Sequence, residues 1–277
     1  MTRKNRVLFV CQEIMPFLEE TEIGKIGRYL PQGTQDRKKE IRTFMPRYGF
    51  INERRSQLHE VVRLSGLNLI IDGTDHPLII KVASIQQARM QVYFIDNDDY
   101  FRRKALLFNE DGKLFEDNNE RLVFFNRGVL EIVKKLGWTP GIIHCHGWFS
   151  SLIPLYVKTA YHTNPLFAES KVVLSVYNDK YKGKLREMER FMTFPGIDKK
   201  SMKPYKKGYW KDLMLGAITY ADAFIQGSET IDFEIYGAIK ASGKPFLPFQ
   251  PNETNDYIET YNNFYELLLP PEEDDEF

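Results

Sequence analysis

Between residues 141 and 240 the sequence alternates two kinds of segment, and this alternation restricts the fold more than any other feature of the chain. Short apolar, β-rich runs (GIIHCH, KVVLSVY at 171–177, AFIQGS at 223–228) take turns with longer segments of helical character (WFSSLIPLYVKTAY, KDLMLGAITYAD at 211–222, ETIDFEIYGAIK at 229–240). Such alternation places the strands parallel, because each helix carries the chain back to the edge from which the previous strand began.

The earlier part fits the same scheme. RVLFVCQ (6–12) has the near-continuous apolar character of a buried parallel strand. Ile23, Ile26, Gly27 and Leu30 then fall at helical spacing with Thr21 as a cap, and Pro31 and Gly33 are read as interrupting that helix. EIRTFMP (40–46), HPLIIKVAS (76–84) and MQVYFID (90–96) read as strands. Residues 118–138 form an amphipathic helix whose apolar face is Leu122, Phe125, Val129, Ile132, Val133 and Leu136, ended by Gly137. The fold expected is α/β, a single Rossmann-like parallel sheet with helices on both faces, built from residues 1–250. Residues 251–277 are expected to hold one short helix, within NDYIETYNNFYELLL, and a disordered acidic end, PPEEDDEF.

Composition narrows the function classes. Lys plus Arg and Asp plus Glu each number 38, so the formal net charge is zero, which argues against a nucleic-acid partner. The charges are unevenly spread: residues 179–212 hold eleven basic and five acidic residues, and 251–277 hold nine acidic and no basic ones. Both segments are expected to be solvated surface. Two cysteines, Cys11 and Cys145, make no disulfide framework, and no apolar run reaches the ~18 residues needed to span a membrane. The start of the chain lacks a signal-peptide pattern. A soluble cytoplasmic protein without a membrane partner is expected.

The stretch GIIHCHGWFSS concentrates the chemistry. On a strand His144 and His146 share a face, yet a metal site needs three or four ligands, and His59, His76 and His162 have no matching spacing. No metal and no cofactor are expected. His144 lies inside the apolar strand and reads as a hydrogen-bonded core residue. His146 stands at the carboxyl end of the strand, where ligands of open α/β sheets bind, just before a helix expected to start near Trp148 and to offer unpaired N–H groups. Position supports a site role for His146 and burial supports a structural one; the sequence leaves both open.

HCHGWFSSLIPLYVK resembles the His-x-His-Asp-Trp stretch and following helix of the glycogen and starch synthases. Other segments match that family in the same order: VLFVCQEIMPF, FMPRYG (44–49), EDNNERLVFFNRGVLE, VYNDKYKG, GAITYADAFIQGSET and GKPFLPF. The resemblance covers nearly all of residues 6–250. It implies the N-terminal lobe of a two-lobed (GT-B) glycosyltransferase, in which ADP-glucose or UDP-glucose donates glucose to an α-1,4-glucan with retention and without a metal. Carried over by position, His146 would act at the donor glucose. Glu13 would lie beside the acceptor or sugar, and Asp117 and Asn178 would line the cleft. Trp148 and Tyr181 would pack against sugar rings. Each has an alternative: core for Trp148, the reading preferred here, and for Tyr181; a solvated carboxylate for Glu13; a turn with Asp179 for Asn178.

Two departures qualify these implications. The family's Lys-Thr-Gly-Gly-Leu loop aligns with Glu19, Glu20, Thr21, Glu22 and Ile23, so carboxylates replace the lysine and glycines that approach a diphosphate, and Lys25 falls at a later acidic position. Gly147 replaces the family aspartate after His146. The sequence also stops where a second lobe is expected. The expected function is therefore a synthase-family lobe that binds glucan or regulates a synthase without catalysing alone. Its partners would be an α-1,4-glucan or sugar nucleotide, and a second protein or a second copy over the open cleft face. A tail folded over that face, or an interaction module with no carbohydrate role, are the alternatives.

Overall fold

The computed structural model describes residues 5–251 and 256–270. In chain order its elements are β1 (Arg6–Cys11), α1 (Glu22–Asp36), β2 (Glu40–Pro46), β3 (His59–Glu60), β4 (Leu67–Ile71), β5 (Thr74–Ile85), β6 (Met90–Asp96), α2 (Asp98–Phe101), α3 (Asn118–Lys135), β7 (Ile142–His146), α4 (Ile153–Lys158), β8 (Lys171–Val176), α5 (Met188–Met192), α6 (Lys199–Met202), α7 (Trp210–Tyr220), β9 (Ala223–Gln226), α8 (Phe233–Ala241), β10 (Phe246–Leu247) and α9 (Asp256–Leu268). The strands run β10-β9-β8-β7-β1-β2-β6-β5-β3, with β4 paired to β5. From β10 to β6 every pairing is parallel. Beyond β6 the sheet turns antiparallel, with β5 on β6 and both β3 and β4 on β5, so the expected parallel sheet is the larger part of a mixed one.

Strand order fixes where the helices go. The step from β1 to β2 moves one way across the sheet, and the steps from β6 through β7, β8 and β9 to β10 move the other way. Right-handed crossovers then put α1 on one face and α3, α4, α7 and α8 on the opposite face. The contacts of α3 with α4, α4 with α7, and α7 with α8 agree with that layer. On its own face α1 covers only β1 and β2. The gap over β7 is filled by α9, whose Tyr261 and Tyr265 rings meet His144 and whose Ile258 packs on Gly33. Thr34 and Lys39, near the end of α1, bind Asn262 and Glu266 of the same helix. The tail helix expected from the sequence is thus present. It lies on the broad face of the sheet beside α1 and shares the central core, rather than covering the carboxyl ends of the strands. The acidic end from 271 on falls outside the described residues.

Three local expectations are corrected. First, α1 runs through Pro31 and Gly33 to Asp36. Proline costs the helix one backbone bond, and burial of Leu30, Pro31, Gly33 and Thr34 under neighbouring elements offsets it. Thr21 caps this helix as expected, its hydroxyl accepting from the Gly24 N–H at 2.9 Å, a contact worth about 1 kcal/mol. Second, no continuous helix starts at Trp148: a 3-10 turn, Trp148–Ser150, precedes α4, whose first N–H, on Ile153, is capped by Asn126 Oδ1 at 3.0 Å. Third, α8 begins four residues later than expected, because the Asp232 carboxylate caps the N–H groups of Glu234 and Ile235.

Candidate functional site

Crossovers leave β1 for one face and β7 for the other, so a crevice opens at the carboxyl ends of these two neighbouring strands, as at the switch points of open α/β sheets. Gln12 and Glu13 follow β1, and Gly147 and Trp148 follow β7. Gln12 ties the two strand ends together. Its Nε2 donates to Glu13 Oε1 at 3.0 Å and its Oε1 accepts from the Phe149 N–H at 3.2 Å. Thr21 donates its hydroxyl to Glu13 Oε2 at 2.6 Å. Both Glu13 oxygens are thereby fixed, half-buried, at the mouth of the crevice.

The N–H groups after β7 are not open to a ligand. Asp179 Oδ2 accepts from the Trp148 N–H at 2.9 Å, its Oδ1 accepts from Trp210 Nε1 at 2.9 Å, and Gln12 takes the Phe149 N–H. This corrects the expectation of a free helix N-terminus beside His146. Burial pushes the Asp179 carboxyl up to about 6, while its two N–H donors pull the other way. Gly147 has φ +81°, and a Cβ there would lie 2.5 Å from Gln12 Oε1, so the Gln12 bridge and a side chain at 147 exclude each other.

His146 is fully buried, its Nδ1 2.8 Å from the Tyr177 hydroxyl and its Nε2 without a partner. Burial lowers its pKa to about 3. His144 is a buried, hydrogen-bonded core residue, held by Tyr265 and Ser175 at 2.7 Å each. Trp148 and Tyr181 are both buried and their ring centroids lie 4.6 Å apart. With Tyr181 donating to the Gly208 carbonyl, they pack on each other, in keeping with the core reading preferred for Trp148 and left open for Tyr181. Asp117 is held by both Nη atoms of Arg103. Asn178 is exposed, and its backbone N–H reaches Ser228 Oγ at 2.9 Å.

Next to Glu13 lies a cleft of about 720 Å³. Its walls are Glu13, Glu19 and Thr21 with Pro16, Phe17, Leu18, Phe50, Ala105, Leu106 and Phe108, so it carries two carboxylates, several apolar side chains and no Lys or Arg. The other loop carboxylates have partners: Glu20 pairs with Lys25 at 2.5 Å, and Glu22 accepts from the Ser228 hydroxyl. Of the residues proposed from sequence, Glu13 lines this cleft, and His146, Asp117, Trp148, Asn178 and Tyr181 are not among its walls. Sequence reasoning missed Phe50, Leu106 and Phe108, which sit on loops without periodicity. It also missed Gln12 and Arg103, whose roles depend on distant partners. Among the described residues no three His, Cys, Asp or Glu side chains converge in a metal-ligating group, and no helix is long and apolar enough to cross a membrane.

A mixed sheet flanked by helices, with its crevice at the strand ends, defines one lobe of a GT-B glycosyltransferase fold. The catalytic domain of starch synthase IV from Arabidopsis thaliana, solved bound to ADP and acarbose, superposes with a TM-score of 0.73 at 17% identity, over 91% of this chain and 52% of that one. A family model described as the starch synthase catalytic domain matches residues 6–243, and the chain belongs to that family. The glycogen synthase of Chlorobium limicola is 34% identical over 241 residues, 86% of this chain and 48% of that protein. That of Chlorobium phaeobacteroides is 39% identical over 180 residues, 64% of this chain and 37% of that protein. The chain spans about half the length, or less, of these relatives.

Proposed function

We propose that this lobe binds a neutral α-1,4-glucan in the cleft beside Glu13 and does not transfer glucose by itself, acting in the cytoplasm as a glucan-binding or regulatory member of the synthase family. The observation that carries this reading is the lining of the cleft: Glu13 and Glu19 with apolar rings, and neither Lys nor Arg. Transfer from a sugar nucleotide requires cations or N–H groups aimed at the departing diphosphate. Here carboxylates line the cleft and the N–H groups after β7 are already taken. Two like charges about 4 Å apart repel by ~1 kcal/mol in water and by several times more in a partly buried cleft. A glucan carries no charge, and it offers hydroxyls for Glu13 and C–H faces for Phe17 and Phe50. Maltoheptaose affinity, measured by calorimetry, should fall about tenfold in Glu13→Gln and in Phe50→Ala. Unchanged affinity in both variants would remove the cleft from the glucan site.

A second reading, a surface for a partner protein or a second copy, is favoured by the aromatic patch at the sheet edge. Phe233 is 86% exposed at the start of α8, close in sequence to half-exposed Tyr236, which meets Phe246 of edge strand β10. Sedimentation of the chain and of Phe233→Ser tests it: a monomer in both cases removes self-association.

A further inference from the structure

Strand β4 has one bare side. It pairs with β5 alone, antiparallel, with Asn68 opposite Pro77 and Leu69 opposite His76. In such a ladder the N–H and C=O of one residue point to the same side, and successive residues alternate sides. The Ile70 carbonyl accepts from Arg127 Nη1 of α3 at 2.6 Å, so Ile70 points away from β5. Asn68, two residues earlier, points the same way. Opposite it, Pro77 has no N–H to offer, and its carbonyl is taken by Asn97 Nδ2 at 2.9 Å. The N–H groups of Asn68 and Ile70 and the Asn68 carbonyl therefore have no strand to bond.

A cleft of about 610 Å³ lies along this side, between β4 and the residues that follow α5. Arg127 lines it. The side chain is only 5% exposed, its Nε has no partner, and no carboxylate pairs with it among the described residues. Its neighbours are neutral: the Ile70 carbonyl, and the Phe194 ring with its centroid 4.1 Å from Cζ. A guanidinium stays charged, and a buried charge without a counter-ion is costly. Nearby, Arg190 pairs with Asp72 at 2.5 Å. The cleft thus holds two cations and one carboxylate, one positive charge in excess. Phe194, Pro195 and Ile70, which is 58% exposed, make the apolar part of the wall.

These features suit one occupant. A single unpaired guanidinium suits a carboxylate, whose plane matches its fork. The exposed apolar wall suits an apolar side chain, and the unpaired backbone groups suit an extended main chain. A small organic acid supplies the first two and no main chain, and a phosphate dianion exceeds the charge available. The last residues of a peptide supply all three. We propose that this cleft docks the C-terminal end of an extended partner peptide. Its main chain adds to β4, its last side chain is apolar, and its free carboxylate meets Arg127. The cleft shares no wall residue with the one beside Glu13, so the proposal does not rest on the glucan reading.

The probe is acetyl-Thr-Val-Thr-Val with a free carboxyl terminus, titrated into the whole chain and followed in ¹H–¹⁵N spectra. Saturable shifts of the Asn68 and Ile70 amides and of the Arg127 Nε–H are expected. The same peptide as its C-terminal amide should bind about tenfold more weakly, having lost the charged hydrogen bond. Isovalerate, a carboxylate with an apolar group and no peptide main chain, should also bind more weakly than the peptide. Arg190→Glu changes an exposed side chain and leaves one cation against two carboxylates, so it should weaken the peptide several-fold, and less at high salt. No saturable shift at Asn68, Ile70 and Arg127 overturns the proposal. Equal affinity for acid and amide overturns the role of Arg127, and isovalerate binding as tightly as the peptide overturns the pairing with β4. Unchanged affinity in Arg190→Glu overturns the charge argument.

Discussion

At Gly147 the backbone lies in the left-handed region, and Gln12 occupies the space a side chain would need. Placing a carboxylate there with Gly147→Asp should destabilise the protein by about 2–4 kcal/mol, from backbone strain together with the broken Gln12 bridge, read as a lower urea midpoint. A midpoint unchanged would show that the bridge is dispensable. His146 gives a second test at this scale. Its pKa is lowered to about 3, whereas the unfolded ring titrates near 6.5. Between these values the unfolded chain binds the extra proton. The ring's contribution to stability is therefore complete above pH 6.5 and is lost as pH falls towards 3. In an NMR titration His146 should remain neutral at pH 5, and titration near pH 6.5 would contradict its burial. The sequence revealed the burial of His144 because that residue lies within an apolar run. Glu13 was named only through the family resemblance of VLFVCQEIMPF. The partners that fix Glu13 and Asp117 could not be read, because Thr21 is 8 residues away from Glu13 and Arg103 is 14 residues away from Asp117, with no periodic pattern to join them.

Among the elements, the contact of α1 with α9 makes the fold more than a set of crossovers. Gly33 permits it: a Cβ there would come within 2.6 Å of Ile258 Cγ2. Gly33→Val should cost about 1–3 kcal/mol by overpacking, and adding Ile258→Ala should recover much of that loss. Additive losses in the double variant would place the strain elsewhere. Strands β1, β2 and β5–β9 were legible because each is a short apolar run bounded by turn residues. The two-residue β3 is too short to show a pattern, and β4, LNLII, was missed although four of its five residues are apolar. The helix in the tail was legible from its apolar spacing. Its docking face was not, because only the strand order shows which face α1 leaves bare.

Over the whole molecule, a synthase-family fold carries beside Glu13 a cleft lined by two carboxylates and apolar side chains. The sheet, its crossovers and its family could be read from the sequence, since they follow from alternation and from motifs in register. The shape of the cleft could not, because loops from three separate regions build it. Its charge should be adjustable. Glu19→Lys, which replaces a carboxylate with a cation at the rim, should raise affinity for ADP several-fold at low salt, and the gain should shrink as salt is added. The measurement that bears most directly on the central claim is a pair of calorimetric titrations of the unaltered chain, one with maltoheptaose and one with ADP-glucose. Saturable binding of the glucan with none of the sugar nucleotide is the expected result. Binding of ADP-glucose with no binding of maltoheptaose would contradict it.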